Sequence, residues 1–214
     1  MNILVIGANG QIGKHVISQL KDHKEHAVRA MVRKQEQADA FDGAGVEPVL
    51  ADLEGTVSEL AEVMKGSDAI VFTAGSGGST GSDKTLLIDL DGAVKTMEAA
   101  EQAGISRYVM VSAMHAEDRS SWSDKIKPYY VAKHYADRLL ESSSLNYTIL
   151  RPGGLLNEPG RGKIAANTEG NEKSIPREDV ASVIVAVLDA ENTYRKAISL
   201  VSGEQSIQEV VQNI

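Results

Sequence analysis

The chain has 214 residues, 42% of them apolar, with no cysteine and a formal net charge of −8. Length and apolar share suit one folded domain with a full core, and the lack of thiols excludes disulfides, thiolate metal sites and a cysteine nucleophile. The negative charge, with no basic run interleaved with aromatics, argues against nucleic acid as a partner. No apolar run approaches the ~20 residues of a membrane span.

Met1 is followed almost at once by the strand-like "ILVIG", without the basic region and apolar stretch expected of a signal peptide. The five histidines show neither HxxxH nor HxH spacing, so no metal site is expected. These features point to a cytoplasmic protein with a small-molecule ligand.

Along the chain, apolar runs alternate with segments of helical period. Strands are predicted at Ile3–Ile6, Ala27–Val32, Glu47–Ala51, Ala69–Thr73, Tyr108–Ser112, Tyr147–Arg151 and Ala197–Val201. The first helix carries Ile12, Val16, Ile17 and Leu20 on one face, and the next opens with the capping box "TVSE" at Thr56–Glu59. Further helices are predicted from Asp83 to Ala103, from Pro128 to Ser143, from Arg177 to Leu188, and after "SIQE" at Ser206–Glu209. Nearly continuous apolar strands alternating with helices imply an α/β, doubly wound parallel sheet, with its ligand at the carboxyl ends of the strands. No linker divides the chain, so residues 1–214 are read as a single domain. Two glycine-rich and polar stretches, Gly75–Lys84 and Asn157–Ser174, follow predicted strands and are expected as loops on the ligand side.

"ILVIGANGQIGKH" places Gly7, Gly10 and Gly13 directly after the first strand, where they open the first helix. In that setting Gly7 permits a tight turn and Gly10 lets a pyrophosphate approach the backbone. Gly13 lets the helix pack closely on the strand. The helix N-terminus then supplies N–H groups and a positive dipole end to the phosphates, with Asn9, Gln11 and Ile12 in the same turn. At the end of the second strand an NAD site would hold an acid for the ribose 2′-hydroxyl. Here "AVRAMVRKQ" offers Arg33 and Lys34 instead, which favours the 2′-phosphate of NADP(H) over NAD(H). Asp52 and Leu53 in "ADL" suit the adenine edge, and Thr73, Ala74 and Gly75 leave room for the cofactor after the fourth strand.

"YYVAK" sets Tyr129 four residues before Lys133, on one face of a helix that follows the fifth strand. Chance makes such a spacing easily; its position beside Ser112 gives it weight. A free tyrosine has pKa near ~10, and bringing it close to 7 takes ~4 kcal/mol, which a nearby ammonium and an oxidised nicotinamide could largely provide.

The ordered set "GANGQIG", "ADL", "FTAG", "YVMVSA", "YYVAK", "YTILRPGGL" and "IPREDVA" resembles the short-chain dehydrogenase/reductases. It is most similar to their atypical, extended-type branch near the NAD-dependent epimerase/dehydratase and NmrA-like groups, and the similarity runs from Asn2 to about Val201. The resemblance implies a Rossmann sheet of about seven strands in order 3-2-1-4-5-6-7 and a Ser112–Tyr129–Lys133 constellation. In that constellation Tyr129 donates a proton to the developing alkoxide. Lys133 holds the ribose and Ser112 orients the carbonyl oxygen. Arg151, Pro152 and Gly153 are expected at the turn beside the carboxamide. Two departures stand out: the segment between Gly154 and Pro176 is short for a nucleotide-sugar lobe, leaving residues 155–176 as a small substrate-side loop, and the Ser112–Tyr129 spacing is long. The expected function is an NADP(H)-dependent oxidoreductase acting on a small carbonyl or quinone-like acceptor. A non-catalytic NADP(H) sensor and an epimerase or dehydratase with tightly held cofactor remain alternatives. The long helices also offer faces on which a homodimer could form.

Overall fold

Alternation in the first strand sets the layering of the molecule. In β1 (Asn2–Ile6), Ile3 and Val5 enter one apolar cluster while Leu4 and Ile6 enter another on the opposite face, because successive strand side chains point to opposite sides. Both sets are buried, as a parallel sheet covered on both faces requires. The computed structural model describes residues 1–78, 80–167 and 173–214.

The remaining parallel strands are β2 (Ala27–Val32), β3 (Glu47–Leu50), β4 (Ala69–Phe72), β5 (Arg107–Val111) and β6 (Asn146–Pro152), together with β10 (Lys196–Ser202) later in the chain. Their spatial order is β3-β2-β1-β4-β5-β6-β10, with Ile3 opposite both Val28 and Ala69. This is the predicted order of seven strands. The sheet runs on beyond it: β8 (Lys163–Ala166) joins β10 antiparallel, and β11 (Gln205–Ser206) joins β8. A separate pair, β7 (Gly154–Leu156) and β9 (Ser174–Pro176), lies parallel, with Leu155 opposite Ile175.

On one face lie α1 (Gln11–Lys21), α7 (Arg177–Val187) and α8 (Ile207–Gln212), joined by Ala38 of α2 (Gln35–Gly43). The other face is covered by α3 (Val57–Met64), α5 (Ala93–Gln102) and α6 (Lys127–Ser142). The apolar face read for the first helix is buried in full. The Thr56–Glu59 capping box forms at α3, and a second one forms between Ser206 and Glu209 at α8. The long helix predicted from Asp83 is three consecutive pieces: α4 (Ser82–Lys84), a π-helical stretch at Thr85–Gly92, and α5. π-Helical turns inside longer helices are frequent at functional sites.

Two elements depart from the sequence reading. Helix α2 buries only Ala38, so it has little apolar periodicity to reveal it. The stretch Asn157–Ser174, expected as a ligand-side loop, contributes β8 to the main sheet; Ile164, buried at 0% exposure, marks the strand. Residues 168–172 of that stretch, and Ser79 of the first glycine-rich stretch, lie outside the described residues.

Candidate active site

The carboxyl ends of the central strands open into a cleft of about 1050 Å³. It sits where the chain order reverses between β1 and β4, the position at which doubly wound sheets take ligands.

Its floor is the glycine turn. Gly7 has φ +85, and a Cβ there would lie 2.6 Å from the Ala74 nitrogen; Gly10 N–H donates to the Gly7 carbonyl at 2.9 Å. At Gly13 a Cβ would lie 2.3 Å from the Gly7 carbonyl oxygen, so the residue serves helix–strand packing and does not line the cleft. Gly7, Asn9, Gly10, Gln11 and Ile12 do line it. Gly10 provides no side-chain cap to α1, which leaves the first-turn N–H groups available to an anion. Gly13→Ala is expected to lower stability by about 1–3 kcal/mol through overpacking against backbone, seen as a lower Tm in a thermal melt.

Next to the turn, Thr73 Oγ1 donates to the Ile6 carbonyl at 3.0 Å and ties β4 to the end of β1. Thr73, Ala74 and Gly75 line the cleft, as do Asp52 and Leu53 after β3. Arg33, just past β2, also lines it; it is exposed and forms no ion pair among the described residues. Lys34 does not reach the cleft and stands as the N-cap residue of α2.

At the other end, Ser112, Tyr129 and Lys133 share the cleft wall. Lys133 is 4% exposed; its Nζ donates to the Val111 carbonyl at 3.2 Å, lies 3.6 Å from Asp89 Oδ1, and sits 5.7 Å from the centre of the Tyr129 ring. Burial pushes the Tyr129 phenol above its ordinary pKa, and the Lys133 ammonium only partly opposes this because Asp89 acts in the other direction. The sequence argument expected lysine to draw the phenol down. In the cofactor-free chain burial outweighs it, and Tyr129 is a protonated phenol at neutral pH. Ser112 is buried, and its Oγ has no hydrogen-bond partner among the described residues.

Arg151, Pro152 and Gly153 were expected beside the carboxamide, and none of them lines the cleft. Arg151 Nε pairs with Asp137 Oδ2 at 2.8 Å, while its terminal nitrogens reach Glu141 at 3.3 Å and Glu117 at 3.5 Å. Asp137 and Glu141 of α6 and Glu117 ahead of it hold the guanidinium, and none of these carboxylates lines the cleft. Pro152 is in sheet register with Leu200, and a Cβ at Gly153 would lie 2.5 Å from the Lys173 carbonyl oxygen, so this glycine serves a close backbone approach. Of the two glycine-rich stretches, Gly75–Lys84 contributes to the cleft, whereas no described residue of Asn157–Ser174 does.

Asp89 is the functional-site residue that sequence reasoning missed. It is 2% exposed, accepts from the Ser76 N–H at 2.9 Å, and faces Lys133 from the π-helical stretch. In "LIDLDG" nothing separates Asp89 from Asp91, whose side chain is 55% exposed and pairs with Lys95. Two positions apart on a helical backbone, the acids point to opposite sides, Asp89 inward and Asp91 outward.

A family model described as NAD(P)H-binding matches residues 7–191. Over 214 residues the chain is 54% identical to a Bacillus subtilis (strain 168) protein named uncharacterized sugar epimerase YhfK, with both chains covered completely. Among solved structures, a Bacillus halodurans protein described as an NAD-dependent epimerase/dehydratase superposes with TM-score 0.94 at 41% identity, again covering both chains completely. The anaerobillin reductase ChuY of Escherichia coli O157:H7 superposes with TM-score 0.82 at 25% identity, over 96% of this chain and 99% of that one.

Proposed function

This chain belongs to the NAD(P)H-binding family, and from that premise we propose that it is an NADP(H)-dependent oxidoreductase of the short-chain dehydrogenase/reductase type, reducing a small carbonyl or quinone-like acceptor. One observation carries the reading: Tyr129, Lys133 and Ser112 line the same cleft as the glycine turn. The turn suits a dinucleotide, since Gly7 and Gly13 have no room for a Cβ and the α1 N-terminus is uncapped by a side chain.

When bound, the cofactor supplies the hydride. The residues of the chain do the rest. The N–H groups of the turn hold the pyrophosphate, Arg33 takes the 2′-phosphate, and Lys133 holds the ribose. Tyr129 keeps its proton at neutral pH and gives it to the acceptor oxygen as negative charge develops there. Ser112, buried beside the Val111 carbonyl that anchors Lys133, orients that oxygen. Asp89 fixes the Lys133 ammonium until the ribose hydroxyls compete for it.

Oxidation of NADPH by a panel of carbonyls and quinones, followed by loss of the reduced-nicotinamide absorbance, tests this reading; no acceptor above background would leave a cofactor sensor or an epimerase in its place. The name of the B. subtilis relative favours a second reading, an epimerase. An epimerase returns its hydride and consumes no NADPH, so the same assay separates the two. Arg33 carries the cofactor preference. NADPH is expected to bind at least ~10-fold more tightly than NADH, about 1.4 kcal/mol, and Arg33→Gln is expected to remove the difference in a fluorescence titration.

A further inference from the structure

The charged side chains around the cleft are unevenly matched. Arg33, Lys84, Lys125, Lys133 and Arg177 contribute positive charge, and only Asp52 and Asp89 contribute negative charge, in a chain whose net charge is −8. Lys84 pairs with Glu54 and Lys133 with Asp89. Arg33 stands at the β2 end, where the cofactor's 2′-phosphate is placed. That leaves Lys125 and Arg177, which form no ion pair among the described residues.

Both belong to the acceptor end. Lys125 lies in the short 3-10 turn Asp124–Ile126 that leads into α6, four residues before Tyr129. Arg177 is the first residue of α7; its Nη1 donates to the Leu155 carbonyl at 3.1 Å and to Asn157 Oδ1 at 2.7 Å, which holds the guanidinium over β7. Its Nε and Nη2 donate to nothing among the described residues. The apolar residues Ile126, Pro128 and Leu155 line the same cleft, the first two close in sequence to Lys125 and the third in β7.

Among the described residues, the acids next to this pair in sequence have other partners. Asp124 pairs with Lys127 at 3.3 Å. Glu178 accepts the Gly160 N–H, and Asp179 accepts the N–H groups of Arg161 and Gly162. A half-buried guanidinium with its Nε and Nη2 edge free, pinned over β7 and without a carboxylate partner among the described residues, is a receptor for a planar anion.

We propose that the acceptor reduced here is an acid: an apolar carbonyl or quinone-like body bearing a carboxylate, which Arg177 grips with its free Nε and Nη2 edge and Lys125 assists. This rests on the reductase reading for the identity of the reaction, but binding of the acid can be measured without turnover.

The test compares three acids with their methyl esters, namely phenylglyoxylate, 4-carboxybenzaldehyde and anthraquinone-2-carboxylate. Binding to the NADP⁺-loaded protein is measured by calorimetry and NADPH oxidation is measured separately. At least one acid is expected to bind ~10-fold more tightly than its ester. Arg177→Gln should abolish that preference while leaving ester binding and NADPH affinity within about twofold, and Lys125→Gln should reduce it partly. Arg177→Lys, which keeps the charge but loses the planar edge, should fall between wild type and Arg177→Gln. If no acid binds more tightly than its ester, or if Arg177→Gln weakens acid and ester alike, the proposal is overturned. If the acid preference is present without NADPH oxidation, the anion site stands and the reductase reading falls.

Discussion

Tyr129→Phe is expected to lower kcat for acceptor reduction by ~100-fold or more, with NADPH affinity within about twofold of wild type. The substitution removes one hydroxyl and keeps the ring whose centre lies 5.7 Å from Lys133 Nζ, so the cleft wall and the lysine stay in place. A loss confined to kcat marks an interaction made only in the transition state; unchanged turnover would mean that the acid lies elsewhere. The pH profile gives an independent check. Burial raises the Tyr129 pKa above its ordinary value near 10, with Lys133 only partly opposing it. The proton-donating form is therefore fully present across the neutral range and is lost only in strongly alkaline solution. Rates of reduction by the NADPH-loaded protein are expected to stay flat from about pH 6 to pH 9 as far as this group is concerned. In the opposite direction the phenol must first lose its proton, so alcohol oxidation should rise with pH across the same range.

Asp137→Ala is expected to cost about 3 kcal/mol of stability, or roughly 6–12 °C in Tm for a chain of this length. Asp137 is 1% exposed and Arg151 is 8% exposed, joined at 2.8 Å. Burial raises the Asp137 carboxyl pKa against the lowering by Arg151, so the pair offsets the cost of desolvation only in part. Removing one partner leaves a buried guanidinium with Glu141 and Glu117, both substantially exposed, to hold it. The paired replacement Arg151→Met with Asp137→Leu is expected to recover most of the loss, because a packed apolar pair carries no desolvation cost. A double-mutant cycle read by thermal melts checks both statements. The linkage has a definite sign. A carboxyl whose folded pKa lies above its unfolded value contributes stability below the unfolded pKa, and loses it as pH rises through the folded one. Asp137 therefore does not defend the fold against acid.

The cofactor end of the cleft was legible in the chain because its chemistry is local. Gly7, Gly10 and Gly13 follow a strand and open a helix; Gly10 and Gly13 are constrained by Gly7 and Ala8 close in the chain and Gly7 by its positive φ, while the approach of Ala74 to Gly7 adds a contact that only the sheet brings about. The missing acid after β2 was equally plain, since Arg33 and Lys34 are neighbours in sequence, although only the folded chain separates them into a cleft residue and the N-cap residue of α2. Arg151 illustrates the opposite case. Its strand position suggested the ligand side, but Asp137, Glu141 and Glu117 pair with it outside the cleft, and that attraction depends on residues brought together by packing.

Sequence by itself determined the seven parallel strands, their two buried faces and the glycine turn, because strand and helix periods and backbone sterics act between near neighbours in the chain. Tertiary structure alone decided that Asp89 rather than Asp91 turns inward to Lys133, that burial outweighs Lys133 and raises the Tyr129 pKa, and that Lys125 and Arg177 line one cleft without an ion pair among the described residues. Burial and charge pairing fix these outcomes, and both depend on elements that meet only when the sheet has closed around its helices.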